Sequence, residues 1–101
     1  MEEANLVLDE KGRGAFLIMD GEEQLGEMAL AISASQMIVY HTEVSPKAEG
    51  KGLAKILLNT MVAYAREHQL KVVPLCPYVH AQFKRHPQDF EDIWVKSKED
   101  Q

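Results

Sequence analysis

Three groups of residues in this chain have types and spacings that can do chemistry. The first is Gly50-Lys51-Gly52, directly ahead of the apolar run Leu53 to His68. The first four N–H groups of a helix have no partner inside it and carry the positive end of its dipole. Glycines at such a start admit positive φ and let a ligand approach the backbone. That combination suits a phosphate, with Lys51 and Lys55 adding charge; the plainer reading is that the glycines serve chain geometry alone. The second is Cys76, the chain's single thiol, set between prolines in PLCPYV. It is either a small buried hydrophobe or, as thiolate, a nucleophile needing a basic or positive neighbour. The third is His41 with Glu43, which share one side of an extended strand because side chains alternate. They supply a base and its orienting carboxylate if that side faces Cys76, and otherwise a histidine satisfied in the sheet beside an exposed glutamate.

Other chemistries find no support. A P-loop requires Ser or Thr after its Gly-Lys, and here Gly52 follows Lys51. A dinucleotide fingerprint requires a third glycine where Lys55 stands. His80 and His86 lack metal-ligand spacing, so no metal is expected. The net charge of −5 argues against nucleic acid, which is bound through clustered Lys and Arg. A lone cysteine staples nothing, and no apolar run approaches the roughly 20 residues of a membrane span. The acidic start MEEANLVLDEKGRG lacks a signal-peptide core, so the default expectation is a cytoplasmic protein.

The elements that must position these residues follow from pattern. With 101 residues, 46% of them hydrophobic, residues 1–101 read as one domain with one core. Ala15 to Met19 and Leu25 to Ser33 read as a hairpin across Asp20-Gly21, and Met37 to Val44 as a third antiparallel strand. Pro46 ends that strand. Leu53 to His68 is an apolar-faced helix, and Lys71 to Leu75 a short buried strand parallel to the third. Tyr78 to Trp94 forms one or two short helices broken at His86-Pro87, with Trp94 capping the core. Met1 to Asn5 and Lys96 to Gln101 are expected to fray, Glu99 and Asp100 as a solvated tail. The order β-β-β-α-β-α gives an α+β (mixed α/β) fold.

Glu49 to Ala54, EGKGLA, resembles the pyrophosphate loop of the GCN5-related N-acetyltransferases: Arg or Gln, two variable residues, Gly, one variable residue, then Gly or Ala. With HTEV before it, the long helix after it, and VPLCPYV and RHP further on, the likeness runs from Ala15 to Phe90 and points to a small subgroup of about a hundred residues. The resemblance implies acetyl-coenzyme A as co-substrate, with its pyrophosphate on Gly50, Lys51, Gly52, Leu53 and Ala54 and charge from Lys51, Lys55 or Lys47. It implies a gap between the strands ending at Val44 and Leu75, where the pantetheine arm pairs with backbone near Thr42, Glu43 and Val44. The thioester would then lie near Cys76, and Lys84 and Arg85 are candidates for the phosphates of the adenosine part.

The sequence departs from the family in three places. Glu49 stands where Arg or Gln is usual, and a carboxylate there must point away from a pyrophosphate. The apolar Met37, Ile38 and Val39 occupy the region where many relatives carry a carboxylate base, and Tyr78 comes early for the tyrosine that protonates the leaving thiolate. The implied activity is acetyl transfer to an unidentified amine, by direct attack or through Cys76. An exposed amine such as a protein lysine suits a chain with only about fourteen residues before its first strand. The alternatives are a non-catalytic acyl-coenzyme A binder or an interaction module on the same fold. The expected assembly is a monomer or weak dimer.

Overall fold

The computed structural model describes residues 3–101. Five strands form one mixed sheet in the order β1-β2-β3-β4-β5: β1 (Ala4–Leu8), β2 (Arg13–Asp20), β3 (Glu23–Ser33), β4 (Gln36–Val44) and β5 (Lys71–Pro74). The first four are antiparallel neighbours, and β5 runs parallel to β4. Helix α1 (Leu53–Glu67) connects β4 to β5, as a parallel crossover requires. Two short helices, α2 (Pro77–Arg85) and α3 (Pro87–Phe90), follow, broken at the residue before Pro87 as expected.

Strand β1 corrects the expectation of a frayed start and of three leading strands. Residues 1 and 2 lie outside the described residues, but Ala4 and Asn5 already belong to β1. The hairpin into β2 is held by Asp9, whose carboxylate accepts the N–H groups of Lys11 at 2.8 Å and Arg13 at 2.9 Å, while Gly12 takes φ 81°. Those two amides hold the Asp9 carboxyl below its ordinary range. Gly14 lets β1 lie close, since a Cβ there would stand 1.8 Å from the Val7 carbonyl oxygen.

The core lies between the sheet and α1. Phe16, Ile18, Met28, Leu30, Met37 and Val39 from the strands meet Leu53, Leu57, Leu58, Met61 and Ala65 from the helix, all essentially buried. Each such side chain contributes about 1.5–3 kcal/mol relative to exposure. Gly26 permits the close approach of Leu57, whose Cδ1 would be 3.4 Å from an added Cβ. Helix α1 ends in a left-handed turn: Gln69 takes φ 56°, and the Leu70 N–H bonds to the Ala65 carbonyl at 2.8 Å, the pattern that satisfies terminal carbonyls.

A β-bulge decides which side chains of β4 see this core. Ala29 pairs with His41 but its neighbour Leu30 pairs with Val39, so Tyr40 is an extra residue in β4. Strict alternation would have kept His41 and Glu43 on the face of Met37 and Val39. The inserted residue shifts the phase, and Thr42, opposite the buried Met28, returns to the α1 face instead.

The C-terminal segment is ordered, which corrects the solvated-tail expectation. Trp94 bridges to Val72 alongside β5, and its ring meets Phe83 edge-on at 5.8 Å while Phe83 stacks on Phe90 at 4.6 Å. Trp94 therefore does close that end of the core. Lys98–Asp100 forms a 3-10 turn, and Asp100, with 7% of its side chain exposed, accepts from or pairs with His80 Nε2 at 2.7 Å. No helix of the described residues is long and apolar enough to cross a membrane.

Candidate functional site at the open end of the sheet

The site begins where β4 and β5 part. Their ladder ends at the pair Val39–Pro74, with one further bond from the Cys76 N–H to the Val39 carbonyl at 2.8 Å. Strand β4 continues to Val44, still paired with β3 as far as Gly26, so residues 40–44 have no β5 partner on their other side. Pro74 ends the ladder because a proline cannot donate to it, and α2 starts directly with Pro77 at its first position, a place where the missing N–H costs nothing. The expected gap between strands is present.

Beyond Val44 the chain makes a short 3-10 turn, Pro46–Ala48, and then the glycine turn. Gly50 takes φ 87° and Gly52 φ 74°, the left-handed region that favours glycine. A Cβ at either position would meet nothing within 4 Å. Packing therefore does not demand these glycines; the backbone path does, and space above them stays free. The first bond of α1 is Ile56 N–H to the Gly52 carbonyl at 3.2 Å. Among the described residues the amides of residues 50–55 reach no backbone acceptor. Beside the turn lies a hollow of about 260 Å³ lined by Val44, Ala48, Glu49, Gly50, Gly52, Leu53 and Ala54. Unpaired donors, a dipole end and open space together fit a pyrophosphate.

The charges around the turn sort themselves. Glu49 is exposed on the rim, and Lys51 and Lys55 are exposed and without an ion pair among the described residues. Lys47 is engaged elsewhere: its Nζ lies 2.6 Å from Glu23 Oε2, and that carboxylate raises the Lys47 pKa. Lys84 and Arg85 are not brought to the turn. They close α2, whose far end packs on α3, and α3 and the residues after it meet Arg66 near the C-terminal end of α1. The glycine turn sits at the other end of that 15-residue helix, about 22 Å away along its axis.

Cys76 is 1% exposed, and its Sγ lies 3.3 Å from Thr42 Oγ1, across the mouth of the gap. His41 and Glu43 do not join it. The bulge places them on the other face, where His41 Nε2 stands 3.4 Å from Glu27 Oε2 and 3.7 Å from Glu43 Oε1. The two do share a side, as alternation requires, but the Cys–His–carboxylate arrangement is not assembled. Tyr78, two residues after Cys76, is half-buried, and burial, followed by the nearby Cys76 charge, pushes its phenol pKa up. The Thr42 side chain is the site group that sequence reading missed: only its backbone was singled out, because nothing in HTEV marks the bulge.

Comparison with known proteins agrees with this geometry. The family model described as GCN5-related N-acetyl-transferase matches residues 15–93. Among solved structures, the NMR solution structure of a "GCN5-like putative N-acetyltransferase" from Staphylococcus aureus is similar, with a TM-score of 0.68, 25% sequence identity, and coverage of 93% of this chain and 90% of that one. A search of curated proteins returns no match.

Proposed function

The chain belongs to the GCN5-related N-acetyltransferase family, and on that premise we propose that it binds acetyl-coenzyme A at the glycine turn and passes the acetyl group to an exposed primary amine, such as a lysine side chain of another protein. The observation that carries this reading is the run of amides at residues 50–55, without a backbone acceptor among the described residues, beside two left-handed glycines with open space where a Cβ would stand. In this reading Gly50, Lys51, Gly52, Leu53 and Ala54 hold the pyrophosphate, and Lys51 and Lys55 add charge. The backbone of Thr42, Glu43 and Val44, unpaired on the gap side, takes the pantetheine arm as an added strand.

Two routes serve the transfer. The amine attacks the thioester directly, or Cys76 exchanges first: its sulfur bonds to the acetyl carbon, the carbon–sulfur bond to the coenzyme breaks, and the proton of Cys76 ends on the departing coenzyme thiol. Exchange of one thioester for another needs no external driving force. Leu75, beside Cys76, is 61% exposed, which suits an amine presented on a partner's surface better than an enclosed metabolite.

A second reading, a non-catalytic acyl-coenzyme A binder, is favoured by one observation: His41 and Glu43 stand on the face away from Cys76. Calorimetric titration with acetyl-coenzyme A tests both, beside Gly52→Asn, a residue that tolerates the left-handed region yet fills the space above the turn. Saturable binding that Gly52→Asn removes supports the turn as the site. Binding without an acetylated Cys76 or any acetylated amine by mass spectrometry leaves the binder reading, and no binding sinks both. Undiminished turnover in Cys76→Ser selects direct attack.

A further inference from the structure

Cys76 lies among apolar side chains, and no buried polar or charged residue accompanies it among the described residues. One polar side chain reaches it. Thr42 Oγ1 is 3.3 Å from the sulfur, from a strand joined to the end of β5 by the Cys76–Val39 backbone bond. We propose that Thr42 is the positioning residue for Cys76: its hydroxyl, turned inward by the bulge at Tyr40, fixes the orientation of the sulfur and donates to it as it ionises.

The use of that ionised sulfur rests on the acetyl-transfer reading; the contact itself does not. Threonine suits the role because its branched Cβ restricts χ1, so the hydroxyl direction is set by the backbone. The phase shift in β4 is what aims it. Had the same sequence run past Tyr40 without the bulge, strict alternation would have turned Thr42 outward. Among the described residues no other side chain is hydrogen-bonded to the sulfur. On β4, His41 and Glu43 flank Thr42 but project from the other face, where Glu27 of β3 meets them. On α2, His80 is engaged by Asp100. Tyr78, also on α2, has its phenol pKa pushed up by burial and then by the nearby Cys76 charge.

The test exploits the single thiol of the chain. Cysteine labelled with carbon-13 at Cβ gives one resonance, whose shift against pH reports Cys76 ionisation without any reagent having to reach a buried sulfur. Thr42→Val keeps the shape and removes the donor; its midpoint is expected to rise by about one to two pH units, the worth of a hydrogen bond to a charged group. Thr42→Ser keeps the donor and should stay within about half a unit of the wild type. Thr42→Ala, a second variant without the hydroxyl, should rise with Thr42→Val. A merely structural threonine would leave the midpoint where it was, and unchanged midpoints in Thr42→Val and Thr42→Ala overturn the proposal. Acetyl-coenzyme A calorimetry on the same proteins separates the two ideas. Failure of the wild type to bind would sink the acetyl-transfer reading while the titration still decides the role of Thr42.

Discussion

The two halves of β4 differ in almost everything except the strand they share. Residues 36–39 are paired on both sides, to β3 and β5, and bury Met37 and Val39 completely. Beyond the unpaired Tyr40, residues 41–44 are paired on one side only and carry His41, Thr42 and Glu43. The first half is held by packing and a full ladder. The second keeps a row of main-chain groups open, a cost a protein ordinarily avoids by covering or blunting an edge. An edge kept open beside unpaired helix-start amides is a surface left for something that pairs with backbone. The boundary between the halves is one inserted residue, Tyr40, and the inward-facing Thr42 just beyond it is the sharpest place to break the contrast.

Thr42→Glu should have the largest effect. It places a carboxylate on the face where residue 42 pairs with the buried Met28 and reaches the Cys76 sulfur. A glutamate forced into that core without a partner costs about 3–5 kcal/mol or more, a large share of the stability of a domain this size. The expected outcome in urea denaturation is loss of the cooperative transition or a midpoint near zero denaturant. A Thr42→Glu variant as stable as the wild type would mean that the bulge does not turn residue 42 inward.

That bulge also marks where the sequence stopped being legible. The hydrophobic patterns of β2, β3, β4 and α1, the parallel β5 and the break at His86 were readable because period and proline report local geometry directly. Alternation correctly put His41 and Glu43 on one side, but a bulge carries no fixed residue signature, so their face could not be read. Strand β1 was missed because ANLVL is short and follows acidic residues; Asp9 and Gly12 held a turn signal that a hairpin reading could have used. The glycine turn was legible in full, since two glycines ahead of a helix state their backbone requirement. Asp100 was read as solvated because its partner, His80, lies 20 residues away in sequence.

A smaller effect distinguishes the ordered tail from the open site through pH. Contact with His80, then the backbone and side chain of Ser97, holds the Asp100 carboxyl below its ordinary value. Arg66 does the same to Asp92. For a carboxyl whose folded pKa is depressed, the unfolded chain binds more protons between the two values, so stability rises with pH there. The contribution is complete above the ordinary carboxylate range, near 4, and is lost as pH falls through the lower, folded value. Urea midpoints should therefore drop below about pH 4, and Asp100→Asn should be less stable than wild type at neutral pH and show a shallower drop in acid. Equal slopes would mean that the tail contact contributes nothing to folding.

The smallest expected effect compares two lysines within a few residues of each other at the open end. Lys51 stands exposed in the glycine turn, whereas Lys47 is bound to Glu23 at 2.6 Å. If the turn holds a pyrophosphate, Lys51→Ala removes a free charge at a helix N-terminus, an exposed electrostatic effect of about two- to fivefold in affinity. Lys47→Ala removes a charge already neutralised and should change acetyl-coenzyme A affinity less. The difference should shrink as salt rises from about 0.05 to 0.5 M, because exposed charges are screened over shorter distances. Calorimetry of the two variants at both salt concentrations measures it. A larger loss from Lys47→Ala would show that its pairing with Glu23 yields to the ligand, and the open end would then have to rearrange on binding instead of standing ready.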